Sequence, residues 1–115
     1  MRSPAASGWE IHLSVVGIVV EEESRKPLQG LRVRAYDKDL IRDDHLGDAL
    51  TDAEGRFEIR FTEAQFRDFT ETAPDVYIRS YDPSGKLLHS TETAVRRNAG
   101  VREFFEVAIS KALRA

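Results

Sequence analysis

Val16-Gly17-Ile18-Val19, Lys26-Pro27-Leu28-Gln29-Gly30 and Thr51-Asp52-Ala53-Glu54-Gly55-Arg56-Phe57 are the stretches that decide the fold. Pro27 cannot donate to a strand ladder and Gly30 supplies backbone freedom, so the chain reverses between the first stretch and the next strand. In the third stretch an early Asp and a closing Gly match type I turn chemistry between two strands. Around these turns the apolar residues keep a period of two. Leu31, Val33 and Ala35 alternate with Arg32, Arg34 and Tyr36, and Phe57, Ile59 and Phe61 recur at every second position, as expected of strands with one buried face.

Working outward, Ile11 to Val20 reads as a first strand that is apolar on both faces: Ile11, Leu13, Val15 and Val19 share one parity, Val16, Ile18 and Val20 the other. One face enters the core. The face carrying Val16 and Ile18 is either covered by a neighbouring strand, loop or helix, or it is an interface with another protein or a second copy of the chain. Short strands are expected around Leu46 to Thr51 and from Val76 to Tyr81. Asp82-Pro83-Ser84-Gly85 turns the chain into a strand over Lys86 to Ser90, and a last strand runs from Arg102 to Ser110. Thr62-Glu63-Ala64-Gln65 is a capping-box pattern with Phe66 and Phe69 on one helical face, which predicts a single short helix. Residues 1–8, small, polar and proline-containing, read as a disordered arm, and residues 9–115 as one domain. Strands separated by turn signals at this spacing describe an all-β, seven-stranded antiparallel sandwich with one short helix.

A chain of 115 residues suits one such domain. Without cysteine there is no disulfide framework, thiolate zinc site or cysteine nucleophile. The net charge of −3 is spread along the chain, so no nucleic-acid partner is expected. No segment approaches the length that membrane insertion needs. The opening residues have one basic side chain and no apolar run, so the expected location is cytoplasmic, or exterior by a route without a cleaved signal peptide.

Two groups of residues exceed what a sandwich requires. Arg32, Arg34 and Tyr36 on one strand and Tyr77, Arg79 and Tyr81 on another face outward; if the strands are neighbours, they interleave in a patch rich in the residue types of binding hot spots. The plainer reading is an ordinary solvated sheet face. The loop carrying Asp37, Asp39, Asp43 and Asp44 could gather carboxylates around calcium, a hard cation that takes oxygen ligands. Lys38 and Arg42 could instead neutralise it without a metal. His12, His45 and His89 are widely separated and stand at no spacing that marks a catalytic set.

Val16, Gly17 and Val19, then Pro27, Leu28, Gly30 and Val33, then Thr51, Asp52, Gly55 and Phe57 form a string that resembles the transthyretin-like and carboxypeptidase-regulatory-like sandwich domains. The continuation through Phe61, Pro74-Asp75-Val76-Tyr77 and Gly85-Lys86-Leu87-Leu88 looks like a bacterial branch of these domains that accompanies larger surface, toxin or secretion-apparatus proteins. The resemblance implies an accessory or binding module, here expected to act as an adaptor for another protein. Two enzymatic relatives are set aside on their motifs. The C-terminus Val107 to Ala115 lacks the Tyr-Arg-Gly-Ser signature of the transthyretin-related hydrolase, and no His-x-His pair is present of the kind with which intradiol dioxygenases bind iron. The aspartate loop also resembles the calcium loop of C2 domains, with an interval between Asp39 and Asp44 one residue short and no matching second loop. The expected function is therefore a non-enzymatic protein-binding module. The alternatives are a calcium-binding C2-like module and an unrecognised small hydrolase, the latter requiring a deep pocket with a histidine and a carboxylate.

Overall fold

The computed structural model describes residues 12–63 and 73–114. Among them are seven strands: β1 (His12–Glu21), β2 (Arg32–Asp37), β3 (Asp44–Leu50), β4 (Arg56–Thr62), β5 (Val76–Tyr81), β6 (Leu87–Ser90) and β7 (Arg102–Ile109). They form two sheets, ordered β4-β1-β7 and β3-β2-β5-β6. The expected helix falls largely on residues 64–72, and the expected arm on residues 1–8; both lie outside the described residues. The polar stretch after β6 contains a short 3-10 turn, Glu92–Ala94, and another follows β7 at Lys111–Arg114. One pairing departs from the antiparallel expectation: β7 runs parallel to β1, Ser14 opposite Arg102 through Glu21 opposite Ile109.

Period-two patterning builds the core. Leu13, Val15 and Val19 of β1, Phe57, Ile59 and Phe61 of β4, and Phe105, Val107 and Ile109 of β7 point from one sheet toward Val33, Ala35, Val76 and Ile78 of the other. At the inward position between Val15 and Val19 stands Gly17, where a Cβ would come within 2.1 Å of the Phe105 carbonyl oxygen and 2.9 Å of the Phe57 ring. The third residue of the inward row is thus a glycine because the Phe57 ring and the β7 backbone already fill its place.

The turn after Thr51 explains its sequence signature. Asp52 Oδ1 accepts from the backbone N–H groups of Glu54 and Arg56, both at 2.9 Å, and Gly55 takes φ +75° to close the turn. Buried Thr51 donates from Oγ1 to the Leu28 carbonyl at 2.6 Å and accepts from the Leu31 N–H at 3.0 Å, tying the entry of β2 to the end of β3. Asp82 builds the same turn, with Oδ1 accepting from Ser84 N and Lys86 N at 2.9 Å each.

β7 is an edge strand. On its open side Arg96 donates from Nη1 to the Phe104 carbonyl at 2.5 Å, lies 3.9 Å above the Phe105 ring centroid and pairs with Glu103 at 3.2 Å.

Candidate functional site

β2 and β5 are antiparallel neighbours, and their register sets Arg32 opposite Tyr81, Arg34 opposite Arg79 and Tyr36 opposite Tyr77. The six residues expected to interleave therefore form three cross-strand pairs on the outer face of the β3-β2-β5-β6 sheet. β3 extends the rows, with Leu50 beside Arg32, Asp48 beside Arg34 and His45 beside Tyr36.

Like charges opposite each other are destabilising, and Arg34 faces Arg79 directly. The Arg79 guanidinium is answered at hydrogen-bond distance from elsewhere, and that of Arg34 only by a longer ion pair. Glu92, in the 3-10 turn after β6, accepts from Arg79 Nη2 at 2.5 Å and from Lys38 Nζ at 2.7 Å. These two cations hold Glu92 below the ordinary carboxylate range, and the bond to Glu92 raises both Lys38 and Arg79. On the other side Asp48 accepts from Arg32 at 3.0 Å and lies 3.8 Å from Arg34 Nε.

Tyr36 and Tyr77 stack with centroids 5.1 Å apart and planes at 17°, and the Arg79 guanidinium sits 5.5 Å from both centroids. The Tyr77 hydroxyl donates to Asp43 Oδ2 at 2.5 Å. Burial, then the bond to Asp43, pushes the Tyr77 hydroxyl well above the usual phenol range. Burial pulls Asp43 upward, but the Asp39 N–H, the Tyr77 hydroxyl and Lys38 outweigh it and leave the carboxyl lowered.

The six-residue set thus divides. Tyr77, outward by parity, is only 2% exposed because Lys38 and the loop behind it fold over its ring. It supports the face and is not presented by it, and with Tyr36 and Arg79 it forms a locked cluster. Arg32, Arg34 and Tyr81 line an open groove at the end of the sheet. Asp48 and Glu92 complete the site and were absent from the sequence-based set.

The four loop aspartates do not converge. Asp37 is fully buried at the end of β2 and its Oδ1 accepts from the Asp75 N–H at 2.8 Å. Asp39 Oδ1 accepts from the Leu40 N–H, and Asp43 is committed to Tyr77 and to the Asp39 N–H at 3.0 Å. Asp44 lies in β3, opposite Asp37. Among the described residues no three carboxylate or histidine side chains gather to hold a metal ion.

Val16 and Ile18 point outward from the other sheet, beside Phe104, and line a broad depression of about 800 Å³ with Leu50 and Arg102. Val16 is 9% exposed and Phe104 58%. A smaller depression on the same face brings His12 and Glu58 together, but the Glu58 carboxylate is held by Arg60 at 3.0 Å.

The two packed sheets form a β-sandwich. The TTR-52 transthyretin-like family matches residues 24–96, and the chain belongs to this family. Comparison with curated proteins gave no match. Among solved structures it is similar to a 9R-lipoxygenase from Cyanothece PCC8801, at 22% identity and TM-score 0.58, covering 93% of this chain and 17% of the lipoxygenase. It is also similar to an intradiol ring-cleavage dioxygenase from Tetranychus urticae, at 14% identity and TM-score 0.54, covering 87% of this chain and 81% of that one. The dioxygenase domain of a dioxygenase carbohydrate-binding protein fusion from Streptomyces sp. SirexAA-E aligns at 17% identity and TM-score 0.52, covering 95% and 84%. At these identities the likeness is one of fold. Tyr36, Tyr77 and His45 do cluster, but the tyrosine rings stack and the Tyr77 hydroxyl is taken by Asp43, an arrangement that does not fit shared metal ligation.

Proposed function

We propose that the chain is a non-catalytic binding module, an adaptor that engages another protein through the outer face of its four-stranded sheet. The observation that carries this reading is the division of that face. Arg32, Arg34 and Tyr81 line an accessible groove, while Tyr36, Tyr77, Arg79, Lys38 and Glu92 form a rigid support beside them. Arg and Tyr are enriched at binding hot spots, and holding them on a sheet rather than a loop lowers the entropy lost on association.

A photo-crosslinking side chain placed at Leu87, exposed at the β6 edge of this face, tests the reading in the organism that makes the protein. A discrete protein adduct is expected from Leu87 and not from Phe104 on the opposite sheet. Adducts from Phe104 alone, or from neither position, would overturn it.

A further inference from the structure

At the end of the four-stranded sheet, the turn from Asp82 to Lys86 and the loop entering β2 flank a groove of about 400 Å³. Arg32 and Arg34 lie along it, and Leu50 and Pro83 add apolar wall. Gly30 and Gly85 border the groove, and neither has an atom within 4 Å of where a Cβ would stand, so its flanks are open.

Charge is unevenly matched across the face. Lys38 and Arg79 have two carboxylates between them, Asp43 and Glu92. Arg32 and Arg34 share Asp48 alone, and only Arg32 is within hydrogen-bond reach of it. A guanidinium is a planar fork of N–H donors matched to a carboxylate, and here most of two such forks lack an acceptor among the described residues. Asp82, on the opposite bank, directs Oδ1 into its own turn, where it accepts from Ser84 Oγ at 2.7 Å and from two backbone N–H groups, and it forms no ion pair with Arg32 or Arg34.

We infer that this groove receives an acidic side chain from an extended peptide segment of the partner, its carboxylate bridging Arg32 and Arg34 and an adjacent apolar side chain resting on Leu50 and Pro83. The inference rests on the protein-binding reading above and gives that partner its chemistry. The apolar walls favour a peptide over a free inorganic anion. A chain of net charge −3 lacks the broad basic field that a nucleic-acid backbone requires. Asp48 acts as an internal carboxylate that holds the two arginines in position and yields part of its contact when the ligand arrives.

Titration of the 15N-labelled chain at low salt with the end-capped peptide Gly-Leu-Glu-Leu-Gly, and with its Gln and Lys counterparts, tests this. Saturable shifts centred on Gly30, Arg32, Arg34 and Gly85 are expected with the Glu peptide. The Gln peptide should bind at least about tenfold more weakly, since it loses the charge-assisted hydrogen bonds. The Arg32→Gln/Arg34→Gln variant, checked for an unchanged spectrum elsewhere, should lose that discrimination, and Asp48→Asn should tighten binding. Equal binding of the Glu and Gln peptides, or shifts centred elsewhere, would overturn the proposal. So would acetate or inorganic phosphate matching the peptide in affinity. A crosslinked partner still held by the double variant would overturn the acidic subsite while leaving the binding module intact. Absence of any crosslinked partner would overturn the module, and the peptide titration would still decide the subsite by itself.

Discussion

The Tyr77 hydroxyl donates to Asp43 Oδ2 at 2.5 Å across 34 positions of sequence, and so fastens the loop between β2 and β3 over the tyrosine stack. Tyr77→Phe keeps the ring and removes the donor. Stability should fall by about 1.5 kcal/mol, the range for a hydrogen bond to a charged group, and the amide of Asp39, which donates to Asp43 Oδ1 at 3.0 Å, should exchange faster. Chemical denaturation and hydrogen exchange read the two effects; undiminished protection in the loop would show that other contacts hold it.

Stability should decline on both sides of neutrality. Burial lowers His89 from 6.5, and a group depressed in the folded state contributes stability above its unfolded value that is lost as pH falls. The acid limb therefore begins below about pH 6.5 and steepens once Glu92 and Asp43, lowered from 4.5 and 3.8, take up protons. On the alkaline side Tyr77 and Lys38 are raised from 10.0 and 10.5, so their contribution is complete below those values and is lost as pH rises through the folded ones. Thermal unfolding across pH 3 to 11 measures this, and His89→Gln should flatten the first part of the acid limb, just below pH 6.5.

Thr51→Val should cost about 2 kcal/mol, since it leaves the Leu31 N–H and the Leu28 carbonyl without their buried partner. Urea denaturation gives the value, and Thr51→Ser should recover most of it.

Gly17→Ala should cost about 3 kcal/mol through overpacking against the Phe105 carbonyl and the Phe57 ring. In the Gly17→Ala background, Phe57→Leu should restore part of the loss by freeing space on one side. A fully additive double variant would place the strain on the β7 backbone alone.

Val16→Asp and Ile18→Asp separate the two outward positions of β1. Val16, at 9% exposure, should lose about 3 kcal/mol on gaining a charge, and the more accessible Ile18 less than about 1 kcal/mol. Equal losses measured by denaturation would mean that both positions are covered.

The alternation in β2, β4 and β7 was legible because each has a single buried face, and the two Asp-x-x-Gly turns because their hydrogen bonds are local. β3 was not. Tyr36 pairs with His45 while Ala35 pairs with Gly47, so Leu46 is an extra residue that inverts the parity of the rest of the strand. Leu46 is buried, yet Asp48 and Leu50, two and four positions on, face solvent, and strand alternation alone therefore does not mark Asp48 as the carboxylate for Arg32 and Arg34. Glu92 left no signal either. It stands in an irregular polar stretch, and its place beside Arg79 and Lys38 depends on the path of the chain after β6. The covering of Tyr77 likewise depends on where a loop folds, which strand periodicity does not encode.

Arg96 bears on what the molecule must avoid. It occupies the Phe104 carbonyl and lies over the Phe105 ring on the open side of β7, the longest of the sheet-edge strands among the described residues, and so takes one acceptor out of that edge. Sheet edges with free backbone groups recruit further strands from other chains. Arg96→Ala, which returns that acceptor to the edge, is therefore expected to raise edge-to-edge self-association, read by light scattering, more than it lowers folded stability.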